Sequence, residues 1–392
     1  MLVNHLLKHA LRCARLILLL CALTARLPVV TADDRSSENE ARLKQALKRY
    51  PEADTNRDGI LTEEEARAHL KKLRKGKAGA GNPDSPAQKQ AAGQPAAAAP
   101  EPTHANLHYG PHARQVLDFW PAKSTQPTPV VVFIHGGGFK AGDKSKARGD
   151  RMLPQCLEAG VSFAAINYRY RTDTPIQDVL RDCARAVQFI RSKAGEWNVD
   201  KARIASYGGS AGAGASLWLA FHDDLADPKN ADPVLRESSR LACAGANSCQ
   251  FSYDVLAWDS LFGDAARRYE AVEDFPGFYG LKDDAELRGL AGQKLRADCD
   301  MRGLISKDDP PVFLSTKMGS GEIRDRGHLL HHPKHAQAIY DRCREIGVTA
   351  TASIPALNIE PGKSEPADLP AFLFQHLKVS QSALKSSANT KP

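Results

Sequence analysis

The chain has 392 residues, 42% of them hydrophobic and 7% aromatic, enough for a sizeable buried core. Its formal charge is +7, but Lys8, Arg12, Arg15 and Arg26 stand in the first 32 residues, which hold no acid, and taking those four away leaves +3. With no clustered basic stripe, that balance excludes a nucleic-acid binder.

Residues 1–32 read as a secretory signal. A basic stretch from Lys8 to Arg15 precedes the apolar run Leu16 to Ala25, and Val30-Thr-Ala32 offers a small-residue cleavage site. The run is too short to cross a bilayer, and no later segment approaches that length. The expected location is the periplasm or the outside of the cell. Cys21 has no small residue before it, which argues against a lipid anchor. Six cysteines follow the leader, Cys156, Cys183, Cys243, Cys249, Cys299 and Cys343. Their even number permits disulfides, their scatter permits buried thiols, and their spacing fits no zinc site.

Residues 37–75 are charged and helical in pattern, interrupted by Asp54-Thr-Asn56-Arg-Asp58-Gly59-Ile60-Leu-Thr62-Glu-Glu-Glu65. This matches the twelve-residue EF-hand calcium loop. Asp54, Asn56, Asp58 and Thr62 supply oxygens at positions 1, 3, 5 and 9, and Ile60 its carbonyl at 7. Gly59 permits the turn, and Glu65 closes the shell with two carboxylate oxygens. Calcium is the expected ion, away from any catalytic step. A lone EF-hand leaves an apolar face that a docking partner or a second copy would cover. Residues 76–105 are rich in Ala, Pro, Gly and Gln, with almost nothing to bury, and predict a disordered tether.

From 106 to 380, β-rich runs alternate with helical patterns, which predicts an α/β domain with a mostly parallel sheet covered by helices. Pro129–Ile134 and Val161–Ile166 read as strands buried on both faces. A helix follows over Thr174–Lys193, then a strand over Arg203–Tyr207 and a helix over Ala211–Phe221. Pro311–Ser315 and Thr349–Ile354 read as the last two strands. Between them Pro333–Ile346 forms a helix, with Pro at its start and Gly347 beyond its end. A last helix spans Leu369–Val379, and residues 381–392 form a polar tail.

Two motifs carry chemistry. Gly208-Gly-Ser210-Ala-Gly212 is a G-x-S-x-G nucleophile elbow, placed between an expected strand and an expected helix. His135-Gly136-Gly137-Gly138-Phe139 follows the strand ending at Ile134. Amides of Gly136 and Gly137, with that of Ala211, are the candidate oxyanion donors. His135 is expected to orient this loop rather than to react.

With these motifs, Tyr109-Gly-Pro-His, Val116-Leu-Asp-Phe-Trp120, Gly142-Asp143 and Asn167-Tyr-Arg169, the domain resembles the HGGG-bearing esterases related to hormone-sensitive lipase. The likeness is greatest to bacterial acetylxylan/feruloyl-esterase-like hydrolases and covers about 107–379. It implies the α/β-hydrolase fold, a serine nucleophile followed along the chain by an acid and a histidine, carboxylic-ester substrates and no cofactor.

The second half departs from that pattern. The acid is expected after Ser315, where Glu322 and Asp325 are the candidates. The loop after the final strand, Pro355–Pro370, holds no histidine, and His376 falls inside the last helix. The remaining candidates for the base are His328, His331 and His332, with His335 behind them. A zinc pair from His331 and His335 is the rival use of that cluster. Two readings follow: a serine hydrolase of small acyl or polysaccharide-linked esters, or a catalytically silent α/β-hydrolase-fold binding module. A third makes the EF-hand and tether an attachment device with the hydrolase as passenger.

Overall fold

A computed structural model of the chain describes Leu47, 51–55, Leu61, Thr62, Glu65, 100–269 and 274–379. The expected leader, most of the expected tether, three of the six expected calcium ligands (Asn56, Asp58 and Ile60) and the tail 381–392 lie outside the described residues. The chain divides into two compact units, Met1–Gly93 and Gln94–Pro392.

In the first unit, Thr62 and Glu65 form a reciprocal capping box, with the Glu65 amide donating to Thr62 Oγ1 at 3.2 Å and the Thr62 amide to Glu65 Oε2 at 3.1 Å. Glu65 Oε1 accepts from the amide and hydroxyl of Thr55. One carboxylate thus joins residues 55 and 62. These bonds, led by the Thr62 hydroxyl, pull its pKa down to about 2.

In the second unit eight strands form one sheet in the order β1-β2-β4-β3-β5-β6-β7-β8. They are β1 (His104–His108), β2 (Val116–Trp120), β3 (Thr128–Ile134), β4 (Ser162–Ile166), β5 (Val199–Gly209), β6 (Cys243–Asn247), β7 (Val312–Ser315) and β8 (Ala350–Ser353). β2 runs antiparallel to β1 and β4, and all later pairings are parallel. This mostly parallel sheet with helices on both faces is the α/β-hydrolase fold. The ordered sheet starts at His104, inside the stretch expected to be a tether. Pro100 is tied down too, its carbonyl accepting from the Trp120 indole at 2.8 Å.

Burial on both sides explains the unbroken apolar run of β3. Val130, Val132 and Ile134 enter one core, while Val131 and Phe133 enter the other. The first core is closed by α2 (Ile176–Ser192), α3 (Ala211–Phe221) and α5 (Lys334–Ile346), and the second by α1 (Met152–Glu158) and α6 (Leu369–His376). α5 ends at Gly347, whose φ of 90° only glycine adopts cheaply.

Among the elements that the sequence reading does not name, two bear on the site. β6, Cys-Ala-Gly-Ala-Asn, has no β-branched residue, and a Cβ at Gly245 would lie 2.2 Å from the Leu369 side chain. The second is α4 (Arg326–His331), a short helix inside what reads as an extended loop. All six cysteines of the described residues are buried free thiols, and no described helix is long and apolar enough to cross a membrane.

Candidate active site

The site gathers at the carboxyl ends of β3, β5, β6 and β7, where open α/β sheets place their ligands. β5 ends in Gly209, and Ser210 turns the chain into α3 with φ 54° and ψ −120°. That conformation costs a side-chain-bearing residue on the order of 1–3 kcal/mol. The flanking glycines permit it. A Cβ on Gly208 would lie 2.4 Å from the Ile134 carbonyl oxygen, and one on Gly212 would lie 1.9 Å from the same atom. The Ser210 amide donates to the Asn247 carbonyl at 2.9 Å, which fixes the elbow to the end of β6.

The HGGG loop leaves β3 beside it. A Cβ on Gly136 would come within 2.5 Å of the Gly209 carbonyl oxygen, so glycine lets this loop lie against the elbow. Gly137, with φ 126°, turns the chain back, and its carbonyl accepts from the amides of Lys140 and Ala141 at 3.1 Å each. Among the described residues no group accepts from the amides of Gly136, Gly137 or Ala211. Ala211 is also the first residue of a buried eleven-residue helix, whose dipole favours negative charge there.

The loop is braced from behind. Asn167 accepts from the Lys144 amide at 2.7 Å and donates to Asp143 at 2.8 Å. Tyr168 donates to the His135 carbonyl at 2.6 Å, and Tyr170 to that of Gly142 at 2.6 Å. His135 is fully buried, stacks on Tyr168, and has its pKa pushed down to about 4 by burial. It is a neutral structural residue, as expected.

Of the three candidate histidines, His331 reaches Ser210, with Nε2 2.8 Å from Ser210 Oγ. Its Nδ1 lies 3.0 Å from the Gly327 carbonyl oxygen. A carbonyl only accepts, so Nδ1 carries the proton and Nε2 presents a lone pair to the serine hydroxyl. Burial lowers the His331 pKa, which keeps the ring neutral, while the bond to Gly327 works the other way.

The other candidates do different work. His328 Nε2 donates to the Gly319 carbonyl at 2.9 Å. His332 Nε2 donates to that of Gly321 at 3.3 Å, and its Nδ1 accepts from the Lys334 amide. Asp325 caps α4 by accepting from the His328 amide at 2.8 Å. Glu322 is exposed. Neither carboxylate is a partner of His331, and among the described residues no other carboxylate is, so the orienting group is a backbone carbonyl. The zinc pair does not form. Both ring nitrogens of His335 are taken, and no metal-holding cluster exists among the described residues. His376 packs on Phe372, away from the elbow.

A cleft of about 70 Å³ opens onto Ser210 and Ala211. Phe139, Tyr253, Val255, Trp258, Phe278 and Leu330 give it apolar walls, and Arg171 and Arg326 stand at its lining.

Comparison with known proteins agrees with this geometry in the first half of the domain. The BD-FAE family model matches residues 117–242, which include the HGGG loop and the elbow but end before α4. An Arabidopsis thaliana protein named "Probable isoprenylcysteine alpha-carbonyl methylesterase" is 31% identical over 137 residues, 35% of this chain and 28% of its own length. A "Probable carboxylic ester hydrolase" of Mycobacterium tuberculosis is 30% identical over 120 residues, 30% of this chain and 28% of its own length. A carboxylesterase from the same species is 26% identical over 205 residues, 50% of this chain and 58% of its own length. The chain thus spans less than two thirds of these curated relatives. The structure of a truncated carbohydrate esterase from gut microbiota superposes with a TM-score of 0.52 at 14% identity, covering 75% of this chain and 99% of that one, a likeness of fold.

Proposed function

We propose that this chain is a serine hydrolase of carboxylic esters, with Ser210 as nucleophile and His331 as general base. The observation that carries this reading is the 2.8 Å contact between Ser210 Oγ and His331 Nε2, with Nδ1 held as a donor by Gly327. Oγ attacks the ester carbonyl carbon as its proton passes to Nε2. The oxygen that gains the charge is met by the amides of Gly136, Gly137 and Ala211. Collapse expels the alcohol, which takes the proton back from Nε2. Water, activated by the same nitrogen, then releases the acid and frees Ser210.

The small aromatic-walled cleft favours a short acyl group, whether on a simple ester or one linked to a polysaccharide. Calcium at Asp54, Asn56, Asp58, Ile60, Thr62 and Glu65 is proposed as a structural ion of the first unit. Glu65 supports this through the two loop threonines, Thr55 and Thr62, that its carboxylate joins. Residues 1–32 are proposed to direct export.

One observation favours the silent binding module instead: the base lacks a carboxylate partner, so its imidazolium gains no ion-pair stabilisation. Hydrolysis of short-chain p-nitrophenyl esters by the purified protein decides between the two. Turnover abolished by both Ser210→Ala and His331→Ala supports the hydrolase, while turnover equal to the buffer rate supports the binding module.

A further inference from the structure

In a Ser–His–Asp triad the carboxylate ties the imidazole to a different part of the fold and so fixes it relative to the serine. Here Nδ1 is bonded to Gly327, a residue of α4 itself. That bond sets the ring's tautomer and its angle to its own helix. It does not set the distance from the helix to Ser210. Something else must hold a six-residue helix, flanked by the exposed residues Ser320, Gly321, Glu322 and Arg324, against the elbow.

Two side chains do this, and both grip the carbonyls just before His331. Gln250 Nε2 donates to the Leu330 carbonyl at 2.7 Å, while its Oε1 accepts from the Tyr253 hydroxyl at 3.2 Å. His335 Nε2 lies 2.9 Å from the Leu329 carbonyl oxygen, and its Nδ1 accepts from the Phe251 amide at 3.3 Å. The amide must donate, so the ring proton sits on Nε2 and is given to Leu329. His335 is fully buried among Phe251, Trp258 and Phe262. Gln250 and Phe251 follow directly from Asn247, the residue whose carbonyl holds the Ser210 amide. Nucleophile and base are therefore referenced to one short segment, 247–251.

We propose that Gln250 and His335 are positioning residues for His331, supplying from the strap after β6 the anchoring that a triad carboxylate gives elsewhere. The proposal rests on the reading of Ser210 and His331 as nucleophile and base. Neither residue bonds Ser210 Oγ or the His331 ring, although Gln250 also lines the cleft onto which Ser210 opens. A displacement of about 1 Å in such a site costs on the order of 10²-fold in rate.

The test is the second-order rate constant for fluorophosphonate labelling of Ser210, scaled to the folded fraction by thermal melting, with kcat and KM for a p-nitrophenyl ester. Gln250→Met keeps length and removes the donor, His335→Phe keeps the ring and removes both hydrogen bonds, and His335→Gln keeps a donor near the Nε2 position. Gln250→Met and His335→Phe should each lower labelling and kcat by about tenfold or more, with KM within about twofold and the midpoint of the pH profile unchanged. His335→Gln should recover most of that loss. Folded Gln250→Met and His335→Phe proteins that label at the wild-type rate would overturn the proposal and leave the Ser210–His331 reading intact. A wild-type protein that fails to label would overturn that reading and this proposal with it.

Discussion

His331 faces Ser210 with the nitrogen that can take a proton and faces Gly327 with the one that must keep it. The histidine at Ser210 comes from the segment between β7 and β8 rather than from the loop after β8. The orienting acceptor is a carbonyl, which fixes the tautomer as a carboxylate does but leaves the protonated ring without a countercharge. A wrong tautomer alone costs a triad enzyme about 10⁴ in kcat, so this arrangement retains the larger share of what an orienting group supplies.

Removing either partner should therefore be severe. Ser210→Ala and His331→Ala are each expected to lower kcat by a factor of 10³ or more, bounded above by the roughly 10⁶ of a complete triad, and the double variant should lose no more than the worse single one. Steady-state kinetics on a p-nitrophenyl ester checks this, and additive losses would argue against a shared step.

The pH profile follows from the sign of the His331 shift. Burial lowers its pKa below the ordinary histidine value, and only the neutral ring can accept the serine proton. The acid limb of kcat/KM should consequently have its midpoint below pH 6.5, with a plateau at neutral pH. A midpoint above that value would mean that a countercharge acts on the ring after all.

Stability should have its own pH dependence. Burial pushes His135 to about 4 and His335 to about 3, so the folded chain leaves both neutral where the unfolded chain protonates them. Stability is then full above about pH 6.5 and falls as pH drops towards 4, by on the order of 3 kcal/mol for each histidine at pH 4. Thermal melting between pH 7 and pH 4 should show this fall, and His335→Phe should melt with a shallower dependence on pH than wild type.

Calcium should bind without entering catalysis. Titration calorimetry is expected to give one site that Glu65→Ala removes, and a chelator should leave ester hydrolysis unchanged. No binding heat for the wild-type chain would dismiss the loop as a calcium site.

The first half of the domain was legible because its signals are local. The apolar run of β3 needs burial on both faces, and Gly136, Gly137, Gly208 and Gly212 are demanded by backbone contacts under 3 Å. The second half was legible only in outline. β6 is built of small residues, with Leu369 and Tyr207 crowding its Gly245, so it carries none of the usual strand signals. The absence of a histidine from the loop after β8 was plain, yet which of three histidines replaces it depends on helix direction. His328 and His332, one turn apart on one face of α4, turn to the carbonyls of Gly319 and Gly321, while His331 takes the face towards Ser210. The D-x-x-H cap at Asp325 did mark the start of α4. It was masked by reading Asp325 as a catalytic acid and Pro333 as the first helix signal.

A Ser210–His331 pair that works without a carboxylate can be tested by fluorophosphonate labelling mapped by mass spectrometry. Labelling is expected on Ser210 in the wild type and in Glu322→Gln and Asp325→Asn, and its loss in His331→Ala. Labelling that survives His331→Ala, or that disappears in Glu322→Gln or Asp325→Asn while the protein stays folded, would contradict it.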